Sequence, residues 1–259
     1  VAVSRRRGFP ASGWNADIRY DPAMHPIPAA PPDVTARDDV PDGRSGLHTV
    51  AAVVLDGVHP FELGVACEVF GLERPELGVP WYRFRVCAAE PPPLRTGAGF
   101  VLDTPHTLAD LEDADTLVFT HWRAPDEQVP AALIQAVQAA HARGARLLSI
   151  CSGVFVLAAA GVLDGQPATT HWKYTAALAA LYPQIDVRQD VLYVDNGQVL
   201  TSAGTAAGID LCLHVVRLDY GAEIANAVAR RMVVAAHRDG GQAQFVEQPV
   251  PASANDDAL

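Results

Sequence analysis

"LLSICSGVFVLAAAG", residues 147–161, decides the fold: an apolar run breaks at Cys151-Ser152-Gly153 and resumes at once as a second apolar run ending in glycine. A strand buried on both faces reads as a short continuous apolar run, and a helix that is apolar all round is internal. "RLLSI" (146–150) is therefore expected to be a strand and "VFVLAAAG" (154–161) an internal helix. In sheets flanked by helices, ligands gather beyond the carboxyl ends of the strands, where such turns lie. Gly153 lets the chain bend back without a Cβ clash, which leaves the Cys151 thiol at a strand-to-helix corner. Cysteine is among the most buried residue types and can simply fill space; it can also be a nucleophile. The corner favours the second use. Amides at the start of the next helix stabilise a thiolate by ~0.3–1 kcal/mol, so the pKa is expected to fall below about 8.5. Cys67, Cys87 and Cys212 have no such setting and are expected to be structural.

Outward from this corner, strand and helix patterns alternate. "TVAAVVLD" (49–56) is a buried run, and "FELGVACEVFGL" (61–72) places Leu63, Cys67 and Phe70 at helical spacing before Gly71. "YRFRVCAAE" alternates as a strand and "TLVFT" (116–120) is a short buried one. "PAALIQAVQAAHARG" (130–144) carries Leu133, Ile134, Val137 and Ala140 on one face, between Pro130 and Gly144. "VLYVDNGQVLTS" reads as a hairpin with a type I′ turn at Asn196-Gly197, and helices follow over about 205–220 and 222–235. This order predicts an α/β three-layer sandwich around a mostly parallel sheet.

Composition limits what such a domain does. The chain has 259 residues, 49% of them hydrophobic, enough for one large core. A net charge of −11 argues against direct contact with nucleic acid. The four cysteines show neither CxxC nor Cys/His ligand spacing, so no metal or other cofactor is expected and a reducing cytoplasm fits best. Arginines near the N-terminus precede no apolar h-region, and no 18-residue apolar stretch occurs, so neither secretion nor a membrane partner is expected. Residues 1–47, rich in Pro, Asp and Ala, read as a flexible leader, and 246–259 as a linker; the folded unit is expected over about 48–245.

A nucleophile needs a proton shuttle. "ATTHWKY" (168–174) offers His171, twenty positions after Cys151. Spacing alone leaves it open whether His171 is that shuttle or an ordinary surface or core histidine. Glu62 opens the first helix just after the first strand, where a buried carboxyl can hydrogen-bond a sulfur; a first-turn glutamate that suits the helix dipole is the alternative.

"DGVHPFELGVACEVFG", "ARLLSICSGVFVLAAAGVLDGQPATTHW" and "ANAVARRMVVAAHRDGGQAQF" together resemble the amidase-like N-terminal domain of AraC-type transcriptional regulators, within the ThiJ/PfpI superfamily. The resemblance implies a flavodoxin-like, class I glutamine-amidotransferase-like sandwich. It also implies a pocket, near a homodimer interface, formed by Cys151, His171 and Glu62. Ser152, Gly153, Thr120, His121, Trp122, Thr170 and Trp172 are then the expected ligand-binding residues. The loop "THWRAPDE" departs from relatives by placing His121 where glycine is typical, which crowds an oxyanion hole. It further implies that DNA is met only through a C-terminal helix-turn-helix domain that this chain does not include. The expected function is a ligand-sensing regulatory domain for a small molecule. A cysteine-dependent hydrolase or hydratase resembling isocyanide hydratase, and a thiol redox sensor, are the alternatives.

Overall fold

A computed structural model describes residues 47–244. The expected leader, apart from Leu47, and the expected linker lie outside the described residues. The strands are β1 (Thr49–Val54), β2 (Arg83–Ala88), β3 (Leu94–Arg95), β4 (Val101–Leu102), β5 (His106–Thr107), β6 (Thr116–Phe119), β7 (Arg146–Ile150), β8 (Pro167–Ala168), β9 (Asp186–Val187), β10 (Tyr193–Asp195) and β11 (Val199–Ser202). The helices are α1 (Pro60–Ala66, continued by a π-helical turn over Cys67–Gly71), α2 (Ala131–Ala142), α3 (Val154–Ala159), α4 (Thr175–Leu181) and α5 (Ala206–Arg231).

Seven strands form one sheet in the order β10-β11-β7-β6-β1-β2-β5, parallel throughout except for β10 against β11. β1 is buried along its whole length because both sheet faces are covered. Its side chains alternate accordingly. Val50, Ala52 and Val54 pack with α1 and α5, whereas Ala51 and Val53 pack with α2, α3 and Leu178 of α4. The result is the three-layer α/β sandwich expected from the alternating pattern. Val154 to Ala158 of α3 are all buried, as its all-round apolar sequence requires.

The chain runs outward from β1 to β2 and β5, then returns to the other side of β1 as β6, β7 and β11. The order therefore reverses between β1 and β6, and crevices outside such switch points are where ligands bind. Register brings the strand ends level: Phe119 lies beside Ser149, and Ile150 beside Ser202. The residues one or two steps beyond form the rim of a single site.

Two details differ from expectation. The β10–β11 hairpin is present, but the positive φ falls on Gly197 alone (82°), and Asn196 N–H closes the turn on the Val199 carbonyl. Gly197-Gln198 is thus the central pair, the pattern of a II′ turn. The helix after Gly221 ends at Arg231 rather than near 235. The break at Gly221 is as expected: φ 86° and ψ 172° lie in a region that only glycine occupies readily.

Past Arg231 the backbone closes in a Schellman pattern, with Val233 N–H donating to the Arg230 carbonyl and Val234 N–H to that of Ala229. The left-handed position, normally glycine, holds Val233 at φ 57° with 90% of its surface exposed. Val233→Gly removes this β-branched strain and loses almost no burial. It is expected to raise unfolding stability by about 1 kcal/mol in urea titration.

Candidate functional site

Cys151 follows β7 directly and has φ 55°, a left-handed conformation that costs an L-residue on the order of 1–2 kcal/mol. Tight packing holds it there. A Cβ on Gly153 would stand 2.0 Å from the Phe119 carbonyl oxygen, so only glycine lets the turn press onto β6. Residues Cys151–Gly153 form one 3₁₀ turn leading into α3, and the Ser152 N–H points at the sulfur and favours its anion.

On the far side, the sulfur meets the start of α5. A Cβ on Gly204 (φ 89°) would stand 2.4 Å from Cys151 Cβ and 3.0 Å from Sγ. Thr205, at φ 43°, strains the next peptide. "SAGT" (202–205) thus closes one wall of the site, which was not anticipated. Its signal is a glycine just past a strand that ends on the same edge.

The expected low pKa is not what this setting produces. Cys151 is 7% exposed. Burial pushes its thiol up to about 12, and the Glu62 carboxylate adds in the same direction, against the smaller pull of Ser152 N–H and Lys173. Desolvation outweighs the helix terminus. Glu62 is itself buried, and burial raises its carboxyl above the usual range. The acid and the thiol are therefore close, and both are biased toward their neutral forms.

His171 is held by its own backbone. It caps the short helical turn Trp172–Tyr174, its Nδ1 accepting the Lys173 N–H at 3.2 Å. That leaves the proton of the neutral ring on Nε2. Burial lowers its pKa, and no hydrogen bond or ion pair among the described residues joins it to Cys151. Its neighbour Thr170 does reach the elbow, donating Oγ1–H to the Cys151 carbonyl at 2.8 Å. Trp172 is half-exposed, with its backbone N–H bound to the Gln244 side chain.

The loop after β6 supplies the opposite wall. Ser152 Oγ accepts the Trp122 N–H (2.9 Å) and donates to the Trp122 carbonyl (2.8 Å). Its single hydrogen is thereby committed. His121 Nδ1, 3.4 Å from the same oxygen, must then carry the ring proton, and Nε2 is left as a bare acceptor. His121 stacks on His59 with centroids 4.2 Å apart, and His59 Nδ1 lies 3.9 Å from Glu62 Oε2. Burial, with the His59 and Arg123 charges, holds His121 down at about 4. Thr120 Oγ1 and Trp122 Nε1 are buried with no hydrogen-bond partner among the described residues, so both keep bonding capacity.

A parallel sheet whose switch point carries a strained elbow cysteine beside a buried acid defines an α/β domain of the elbow-cysteine class. The DJ-1/PfpI family model matches residues 48–218, and the chain belongs to that family. It is 34% identical over 153 residues to the HTH-type transcriptional regulator CdhR of Pseudomonas aeruginosa, covering 59% of this chain and 45% of that protein. It is 42% identical over 91 residues to isonitrile hydratase of Pseudomonas putida, covering 35% of this chain and 38% of the hydratase. Among solved structures, an AraC family transcriptional regulator from Pseudomonas putida shares the fold, with a TM-score of 0.61, 22% identity, and coverage of 71% of this chain and 99% of that one. Other HTH-type regulators are also similar. The chain spans less than half the length of the curated relatives CdhR and isonitrile hydratase. No helix among the described residues is long and apolar enough to cross a membrane.

His121 gives the site a pH signature. Unfolded, its imidazole takes a proton near its ordinary 6.5; folded, it refuses one until about pH 4. Its contribution to stability is complete above pH 6.5 and is lost as pH falls through about 4. Urea midpoints are expected to drop across that window. His121→Asn should flatten the drop by an amount on the order of 3 kcal/mol relative to the unsubstituted chain.

Proposed function

We propose that this chain is the ligand-sensing domain of an HTH-type, AraC-like transcriptional regulator. A small molecule enters the Cys151 pocket, and DNA is read by a separate domain. The observation that carries this reading is the enclosure of the elbow: the thiol is 7% exposed, closed in by Gly204 on one side and by the Gly153 turn on the other, and burial pushes it toward its neutral form. Catalysis by that sulfur needs a thiolate and a free base. Here the nearest carboxyl resists ionisation, and the His171 lone pair is committed to a helix cap. A binding pocket needs neither. It needs polar groups with capacity to spare, and His121 Nε2, Thr120 Oγ1 and the Glu62 carboxyl provide them. The same burial argues against a redox sensor, which depends on an accessible low-pKa thiol. The regulators among the relatives support the same role.

The hydratase reading keeps one specific support, the 42% identity to isonitrile hydratase over 91 residues. One experiment separates the two. Small amides, isocyanides and amino-acid derivatives are tested both for turnover and for thermal shift. The sensing reading expects a shift of several degrees with at least one compound, abolished in a folded Glu62→Gln or His121→Ala chain, and no product. Product formation lost in Cys151→Ala establishes the hydratase instead. Iodoacetamide at pH 7 is expected to modify Cys151 no faster than Cys67, a comparison read peptide by peptide in a mass spectrometer.

A further inference from the structure

We infer that Gln244 ties the wall of the Cys151 pocket to the segment that follows α5, so that pocket and segment open and close together. The inference deepens the sensing reading and rests on it, because it names the route by which occupancy leaves the pocket.

Gln244 is buried, and its amide is fully engaged. Oε1 accepts the Trp172 N–H at 3.0 Å, and the two hydrogens of Nε2 are shared among the carbonyls of Thr170 (3.1 Å), Gln189 (2.9 Å) and Val191 (3.1 Å), one of them bifurcated. One side chain thereby holds the peptides on both sides of His171 and the turn before β10. Thr170 in turn donates to the Cys151 carbonyl at 2.8 Å. Gln244 and the elbow are two hydrogen bonds apart.

The rest of segment 237–244 is fixed at two more points. Arg238 forms a fork on Asp210, with Nε 2.9 Å from Oδ1 and Nη2 2.5 Å from Oδ2. Asp210 belongs to the first turns of α5, and Gly204, two residues before that helix begins, lies against the sulfur. The Gly240 carbonyl accepts the Leu192 N–H at 2.7 Å, and a Cβ there would come within 2.7 Å of the Tyr193 oxygen. One of the three anchors, Gln244, therefore holds a segment bonded directly to Cys151, and a second sits on the helix that follows Gly204.

A buried amide with every bond made does not yield by degrees. Breaking one bond leaves donors unsatisfied in a water-poor site, so the arrangement favours all or none. Coupling of this kind is reciprocal: whatever displaces residues 170–172 loosens the segment, and whatever frees the segment opens the pocket wall. Gln244 is thus a positioning residue, acting on the pocket through Thr170 and Trp172.

The test uses the 259-residue chain without any ligand. Gln244→Ala is alkylated with iodoacetamide well below its unfolding temperature, and rates are read at Cys151, Cys87 and Cys212. The expected result is a rise of about tenfold at Cys151 alone, equivalent to about 1.4 kcal/mol of easier opening. Equal rises at all three cysteines mean general destabilisation and overturn the proposal, as does an unchanged Cys151 rate. Should the variant fail to fold, the unsubstituted chain carrying N-ethylmaleimide on Cys151 is examined by hydrogen exchange. Amides of 240–244 are expected to exchange about tenfold faster with β2 unaffected, and protection unchanged at 240–244 overturns the proposal. Because no ligand is present, either failure leaves the sensing reading standing; that reading falls if no compound shifts the melting temperature or if Cys151-dependent product forms.

Discussion

The approach of Gly153 to the Phe119 carbonyl is the constraint from which the site follows. No side chain fits there, with 2.0 Å left for a Cβ. The chain can therefore turn from β7 into α3 in three residues while still packed on β6. The strain is taken up by Cys151 at φ 55°. That conformation places the side chain at the strand ends, on the margin of the hydrophobic layer that also holds Ala203 and Ala207. Parallel register then gathers one wall from each neighbour: Glu62 after β1, His121 after β6, Gly204 after β11.

Whether such a cysteine becomes a reagent depends on which of two electrostatic effects is larger. An exposed helix terminus is worth ~0.3–1 kcal/mol, less than the ~1.4 kcal/mol that moves a pKa by one. Enclosure between the start of α5, Glu62 and the elbow backbone carries the thiol from 9.0 to about 12. Desolvation wins by a wide margin. The turn that presents a nucleophile in one setting holds, in this one, a buried thiol pushed toward its neutral form. Burial pushes His121, after β6, and Glu62, in α1, toward their uncharged states as well.

This balance explains what the sequence made legible. Local patterns placed the strands, the internal helix, the break near 221 and the elbow, because each depends on residues within a few positions of one another. "LLSICSGVF" contains both the buried strand and the glycine that its turn requires. The burial of Cys151 depends on Gly204, more than fifty positions later, and no local pattern connects the two. His171 was legible as a residue near the elbow, but its lone pair is taken by Lys173 N–H, a contact that exists only once the cap forms. The II′ turn was missed for a smaller reason: Asn196-Gly197 suits a I′ turn locally, but the register of β10 with β11 centres the turn one residue later.

Long-range construction also gives the domain a way to act on something outside its pocket. The walls belong to elements that travel far: the chain passes from Gly204, against the sulfur, into α5, runs through the Gly221 break and leads into the segment anchored by Arg238, Gly240 and Gln244. A ligand that contacts only the elbow still bears on this path, since Thr170 bonds both the elbow and, through its own carbonyl, Gln244. A conformational change needs a ligand that distinguishes two states by its contacts. In the sensing role proposed for this domain, walls contributed by separate strand ends, each leading into a different helix or segment, would let a bound molecule make that distinction by displacing one wall relative to another.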